Sequence, residues 1–469
     1  MNKKVTFALA FCNRGFMPGE LIYGAREDMI KAVTGAGYDY IAMDTEATRY
    51  GGIETRDEGL LYAKWLKEHD GEYDGVIFSM PIFADENGAI TALQDAGVPI
   101  LMQAYPDEIG KMDFAHRRDA YCGKFSVTDV FTQYNVPFTV MKPHVVHPLS
   151  EAFAGNLKDF AAICRVVNGM KRFNVGCIGA RTTAFKTTRF DEIALQKYGI
   201  TVESFDLSEL VYKVGQKSDD DTAVTAKLER LKNYTDFSQV PETNANTLAK
   251  ISVVLDEYIE EYHLDALTLR CWNEMETILR VCPCVLLSEL NDRGIPASCE
   301  IDMCSAITMR AMALASGEPT AVLDWNNNYG DDEDKVILFH CGPVAQALMA
   351  GKGTVTEHKM FAKGDPGSGW GSNEGRIKAF PTTISNCQTK DGKLIVYASE
   401  AEFTSDTIES TYFGCAGVCE IPNLQDKLIR LARGGFKHHT SVGVGHMKEI
   451  LREAFTTYLH YDWVDVDHE

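Results

Sequence analysis

Short apolar runs alternate along the first hundred residues with segments whose apolar positions recur at helical spacing. Val5–Cys12, Tyr40–Asp44, Gly75–Met80 and Pro99–Gln103 read as strands. Ala25–Thr34, Glu58–Glu68 and Ala89–Ala96 read as the helices between them. Strands separated by helices of about ten residues imply βαβ units and a parallel sheet. The first strand is not followed by GxGxxG, so a dinucleotide site has no support there. The segment His116–Phe131 turns from polar to apolar and predicts a further helix.

A second alternation begins near Lys171. Phe173–Ala180, Gly199–Asp206, Leu264–Arg270, Ala297–Asp302 and Thr320–Trp325 are its predicted strands. Phe190–Lys197, Thr222–Asn233, Ala245–Tyr262, Thr277–Arg293 and Cys304–Ala315 are its predicted helices. In Ala245–Tyr262 the apolar set Leu248, Ile251, Val254, Leu255 and Ile259 lies on one helical face. After Asn326 strands follow one another without long helices: Lys335–Cys341, Gly375–Asn386, Lys393–Ser399 and Ser410–Gly414, with Asp391-Gly392 as a hairpin turn. Gln425–Ala432 and Met447–Leu459 are the helices of this last part. The pattern predicts an α/β protein: two Rossmann-like domains with parallel sheets, 1–168 and 169–328, then a β-rich domain, 329–469.

Composition narrows the partners. The chain has 469 residues, too many for one core. With 46 basic and 67 acidic residues its net charge is −21, which argues against nucleic acid or an anionic membrane as partner. No run approaches the roughly 18 apolar residues of a membrane helix. The apolar start MNKKVTFALAFCNRG has no small-residue cleavage site and reads as a strand rather than a signal peptide. Thirteen scattered cysteines, an odd number, then imply reduced thiols and a cytoplasmic location. The close pair Cys282-Pro-Cys284 lacks the two-residue spacer of zinc and thioredoxin-type motifs.

The candidate chemistry gathers between Leu269 and Asp302. Two α/β units end there in acids, Glu274 and Glu276 after the first and Glu300 and Asp302 after the second. Open α/β sheets place their sites at the carboxyl ends of the strands. These acids read as half of a site for a hard divalent cation, Mn²⁺ or Mg²⁺, which prefers carboxylate and accepts imidazole in the case of Mn²⁺. A histidine from His438, His439 or His446 is the candidate for the other half. Each residue also has a plainer reading. Acids suit a solvated helix start, and adjacent histidines occur on surfaces. His340 closes an apolar strand, where a core histidine is the commoner outcome. Trp370 lies in GDPGSGWGSNEGR, a glycine-rich stretch that reads as a lid or a mobile loop. Arg181, Lys186 and Arg189 follow a strand end and suit an anionic substituent, unless they pair with Asp191 and Glu192.

Three motifs resemble the L-fucose isomerase and L-arabinose isomerase superfamily. Met275–Leu279 is similar to its AEAIL-like segment, Ser298–Met309 to its ATENDSLNGVAM-like segment, and His438–His446 to its NHGVLTIGH-like segment. Gly434–Thr440 also resembles the GGAHHT pattern of the arabinose branch. The motifs lie in the family's order over the last two-fifths of the chain. The resemblance implies Glu276, Asp302 and His439 as metal ligands, with Glu300 as the alternative to Asp302 on the arabinose pattern. It implies a Mn²⁺-type cofactor and a homo-oligomer, commonly a hexamer. The reaction implied is an aldose–ketose isomerisation through an enediol, with Glu276 and Asp302 moving the carbon-bound and hydroxyl protons in either assignment. The sugar-contacting residues do not carry over. The substrate is then a neutral deoxyhexose or pentose, or an anionic hexose such as sulfoquinovose. His340, Trp370 and His438 join the three basic residues as candidate sugar contacts. The competing class is a non-catalytic sugar-binding or regulatory protein on the same scaffold.

Overall fold

In the computed structural model, which describes residues 4–468, the chain forms two compact units. The first runs up to Asn168 and takes back Glu453–His460; the second runs from Gly169 to Arg452 and includes the chain from Tyr461 onward.

The first unit is built on a parallel sheet of β1 (Thr6–Phe11), β2 (Asp39–Ala42), β3 (Gly75–Met80) and β4 (Ile100–Ala104), in the order β2-β1-β3-β4. The run in β1 is apolar throughout because both sheet faces are covered. Phe7, Leu9 and Phe11 enter one core, while Ala8 and Ala10, with Cys12 just beyond, enter the other. Helix Glu151–Met170, absent from the pattern reading, packs Phe153, Leu157, Phe160 and Cys164 against the first of these cores. The expected helix near His116–Phe131 is Ala120–Gln133.

The second unit holds another parallel sheet, β5 (Phe173–Ile178), β6 (Ile200–Phe205), β7 (Ala266–Leu269) and β8 (Ala297–Cys299), in the order β6-β5-β7-β8. It continues into a nine-stranded sheet. Its strands are β9 (Thr320–Tyr329), β10 (Asp332–His340), β11 (Thr354–Glu357), β12 (Trp370–Arg376), β13 (Phe380–Lys390), β14 (Lys393–Phe403), β15 (Cys415–Glu420), β16 (His439–Val444) and β17 (Asp462–Trp463). The ladder β15-β10-β9-β16-β13-β14 is antiparallel and returns to β15, closing a barrel. Closure leaves those six strands without a free edge. Helix Met303–Ser316 lies between the two sheets, against β7 on one side and β9, β13 and β16 on the other. Its buried residues, Ala306, Ile307, Met309 and Met312 among them, explain why that segment is apolar all round.

Four local expectations change, the first being the strand expected over Gly375–Asn386, which is divided between the end of β12 and the start of β13. The single helix expected over Thr277–Arg293 is two, Glu274–Ile278 and Cys284–Asp292. Pro283 has no N–H and disfavours helical geometry at Cys282, so the chain opens there. The opened segment pairs with β12, Cys282 N donating to Trp370 O at 3.0 Å. Only glycine permits that approach at position 371: its φ is +133°, and a Cβ would lie 2.1 Å from Cys282 O. Trp370 therefore begins a strand rather than riding on a lid, and its ring packs on the core of the central sheet. The strand expected at Ser410–Gly414 starts instead at Cys415.

The chain end is fastened by charge. Asp467 receives Lys427 Nζ and Ser399 Oγ at 2.7 Å each, and Lys448 as well. Burial would raise its carboxyl, but these donors outweigh burial and hold it near about 2. A carboxyl depressed on folding stabilises above its unfolded value and loses that contribution as the pH falls through its folded one. Asp467→Asn is expected to destabilise by about 1–2 kcal/mol at neutral pH. Thermal unfolding followed from pH 7 downward should show the gap from wild type constant to a pH of about 4, then closing. A gap that does not change with pH would remove the ion-pair explanation.

Candidate metal and active site

The site is assembled at the carboxyl ends of β7 and β8 and at the facing ends of β10 and β16, all in the second unit. After β8 the chain must turn sharply into helix Met303–Ser316. Glu300 and Ile301 make that turn with φ of 63° and 61°. Such geometry costs a β-branched residue on the order of 1–3 kcal/mol, and its presence marks a turn enforced by its surroundings. The turn separates two acids that the sequence places two apart.

Asp302 points to the interior and is saturated. It caps the helix by accepting from Ser305 N at 3.2 Å and Ser305 Oγ at 2.6 Å. Lys437 Nζ lies 2.7 Å from its Oδ1, and His439 Nδ1 lies 2.7 Å from its Oδ2. Burial opposes ionisation here, but Lys437 and His439 overcome it and hold the carboxyl far below its ordinary range. The same contact raises Lys437 against its own burial.

Glu300 points the other way. Trp272 Nε1 donates to its Oε1 at 3.0 Å, and its Oε2 lies 3.1 Å from His439 Nε2. Asp324, on β9 opposite His439, brings Oδ1 to 3.4 Å from the same nitrogen. His439 thus has one nitrogen on Asp302 and the other on an opening lined by acids. Its burial favours the neutral ring, but Asp302 and Glu300 prevail and raise it to about 10.

His340 closes β10 with its ring centroid 5.6 Å from that of His439. Its Nδ1 accepts Cys341 N–H at 2.9 Å. In the neutral ring the proton then sits on Nε2, a buried donor with no partner. Glu276, from the short helix Glu274–Ile278, is also buried, beside Gly369. Burial, with Cys341 and Glu274 nearby, raises its carboxyl to about 8. Both Glu276 and Glu300 lie within electrostatic reach of Cys271 and Cys341. The other predicted acid, Glu274, is partly exposed and pairs with Arg270 at 2.6 Å.

A divalent cation fits the acids and imidazoles grouped around His439, and Glu276 stands outside that group. Among the described residues, both oxygens of Glu276, Oε2 of Glu300, Oδ1 of Asp324 and Nε2 of His439 are buried without a hydrogen bond. Orphaned buried acceptors of this kind are costly unless something fills them. Ligand atoms of Glu300, His340 and His439 lie within 4.8 Å of one another, as do those of Asp324, His438 and His439.

The remaining predicted residues divide. His438 is partly exposed at the rim, 3.6 Å from Asp324, with Phe185 edge-on at 5.6 Å. His446 is at the far end of β16 and meets Glu402. Arg181 donates to the carbonyls of Thr182 and Thr183. Lys186 and Arg189 line a polar cleft of about 490 Å³ with Thr389, Gln388 and Lys437. Three neighbours of the site were not singled out from sequence: Asp324, Lys437 and Trp272. Asp324 had a signal, an acid closing the apolar run AVLD. Lys437 immediately precedes the histidine pair, and nothing in the sequence joins it to Asp302, 135 residues away.

The family model for the fucose/sulfoquinovose isomerase N-terminal domain matches residues 8–171, and that for the L-fucose isomerase C-terminal domain matches residues 338–467. A sulfoquinovose isomerase of Priestia aryabhattai is 23% identical over 390 residues, covering 81% of this chain and 83% of the relative. One from Alkalicoccus urumqiensis is 21% identical over 287 residues, 61% of this chain and 63% of the relative. One from Clostridium sp. (strain MSTE9) is 25% identical over 202 residues, 43% of this chain and 45% of the relative. These similarities make the protein an aldose–ketose isomerase of carbohydrate metabolism. The chain belongs to the L-fucose isomerase-like superfamily. None of its described helices is long and apolar enough to cross a membrane.

Proposed function

We propose that the chain is a Mn²⁺-dependent isomerase of a sulfonated aldose, sulfoquinovose or a close analogue, working through an enediol. The observation that carries the metal reading is the convergence of two buried carboxylate oxygens, from Glu300 and Asp324, on His439 Nε2. Glu300 and His439 would hold the cation, with Asp324 beside them. A cation there supplies Lewis-acid polarisation of the sugar carbonyl and stabilises charge developing on oxygen.

The protein's own groups supply the proton chemistry. Glu276 has a buried carboxyl with both oxygens free of hydrogen bonds, and it would take the C2 proton and redeliver it at C1. His340 presents Nε2–H to a sugar oxygen, its tautomer fixed by Cys341 N–H. Asp302 works through His439: it holds Nδ1–H and so keeps the Nε2 lone pair for the cation. Lys437 keeps Asp302 ionised. In this reading the hydroxyl proton passes through His340 rather than Asp302.

The substrate class rests on the relatives' names and on the cleft of Lys186 and Arg189. Lys186 and Arg189 share the lining of this polar cleft with Asp191 and Lys437, and their charge suits a sulfonate. The test compares sulfoquinovose, L-fucose and L-arabinose with the Mn²⁺-loaded and EDTA-stripped enzyme, measuring ketose. The sulfonated sugar is expected to be preferred, with turnover lost on stripping. Lys186→Glu with Arg189→Glu should raise KM for the sulfonated sugar roughly tenfold or more while kcat stays within a few-fold. An unchanged preference between neutral and anionic sugars would take the sulfonate role from this cleft. Equal turnover after stripping would end the metal reading.

A further inference from the structure

Behind Glu300 lies a cluster of thiols that the isomerase chemistry leaves unused. Cys271 follows β7 and Cys299 ends β8, so adjacent parallel strands deliver both sulfurs to one place. The sulfurs of Cys271 and Cys299 and a carboxylate oxygen of Glu300 all lie within 4.8 Å of one another. Cys341 is in hydrogen-bonding reach of Cys299, and its sulfur lies 3.6 Å from that of Cys284. Cys271 and Cys299 are buried, and Cys341 is of intermediate exposure. Glu300 Oε2 is buried and faces His439 Nε2 at 3.1 Å.

We infer that Cys271, Cys299 and Glu300 form a second cation site, selective for a thiophilic ion such as Zn²⁺ or Cd²⁺, whose filling withdraws Glu300 from the isomerase centre. Zinc binds thiolate at about 2.3 Å, so two thiolates and a carboxylate around one ion sit roughly 4 Å apart, which the limit of 4.8 Å between these atoms allows. Thiolates select soft and borderline ions over Mn²⁺ and Mg²⁺, which prefer oxygen. Binding releases the two thiol protons to solvent and involves no change of oxidation state. Cys341 stands next to Cys299 as a further thiolate donor. The two sites share one carboxylate, so their ions compete. The competition rests on the reading of Glu300 as a ligand of the catalytic cation; the thiol site itself does not.

The experiment uses the full chain stripped of metal, with the exposed Cys122 changed to serine in every sample. Cd²⁺ is titrated while the ultraviolet thiolate-to-cadmium absorption is recorded. One saturable equivalent is expected, its affinity falling at least tenfold in Cys271→Ser and in Cys299→Ser. Circular dichroism checks that each variant folds; if either fails, alkylation protection of Cys271 and Cys299 by Cd²⁺ in the parent chain gives the same answer by peptide mass. Zn²⁺ should inhibit the Mn²⁺-loaded parent enzyme at concentrations that spare the variants, and Mn²⁺ should weaken Cd²⁺ binding. No band, or a band unchanged in both variants with no protection of these thiols, overturns the site. A Cd²⁺ band indifferent to Mn²⁺ overturns the sharing of Glu300 and leaves the thiol site standing. A normal Cd²⁺ titration in a chain that shows no Mn²⁺-dependent turnover supports the thiol site and counts against the isomerase reading alone.

Discussion

Glu300→Gln is expected to lower isomerisation by about 10²–10³-fold, the scale seen when one group stabilising developing charge is removed. The substitution keeps the shape and leaves an amide oxygen to accept Trp272 Nε1–H, so the turn after β8 should hold. It removes the anionic oxygen that faces His439 Nε2 at 3.1 Å. The cation then loses a charged ligand, and Mn²⁺ affinity by calorimetry should fall in parallel with ketose formation. Glu274→Gln is the matched control, since its carboxylate is partly exposed and pairs with Arg270. Wild-type activity and Mn²⁺ affinity in Glu300→Gln would remove Glu300 from the centre, and Asp302 would then have to be the ligand.

Asp302→Asn should act on the fold as much as on the reaction. In the native chain two cationic groups, Lys437 and His439, share one fully buried carboxylate. Neutralising it leaves Lys437 buried without a counter-charge. Breaking a buried pair on one side typically costs about 3–5 kcal/mol, roughly 5–10 °C in unfolding midpoint for a large chain. The double variant Asp302→Asn with Lys437→Met removes both charges and should recover much of that loss. Activity should not recover with it, because the neutral amide that replaces Asp302 holds His439 Nδ1–H more weakly than the carboxylate and leaves the imidazole without its anionic partner. Stability recovered without activity separates the two roles. If Asp302→Asn unfolds within about 1 kcal/mol of wild type, the buried ion-pair account fails.

The strands of both parallel sheets were legible because a sheet covered on both faces requires continuous apolar runs, and the helices between them carry apolar stripes. The change to consecutive strands after Asn326 announced the β-rich part. Barrel closure was not legible, since it depends on β14 meeting β15, a pairing between segments with no sequence mark of it. The broken helix at Leu279–Pro283 had its warning in Pro283, but the strand that pairs with it lies some ninety residues on. Trp370 shows the converse: a glycine-rich composition suggested mobility, and tertiary pairing made the segment a strand.

At the site, the sequence by itself placed acids at the ends of two strands and histidines near a third, because charge in an apolar segment needs a partner. It nominated Glu276, Asp302 and His439 for one chemistry, with Glu300 as the alternative to Asp302. It did not determine their directions. With a regular strand through both, Glu300 and Asp302 would share a face. The two left-handed residues after β8 instead turn Glu300 to His439 Nε2 and Asp302 to Nδ1. Lys437 and Asp324 join only when the barrel sets β16 beside β9 and against the helix that Asp302 caps. Residue type and spacing fix what a group can do chemically. Which atom it faces depends on backbone dihedrals and long-range packing, and those exist only in the folded chain.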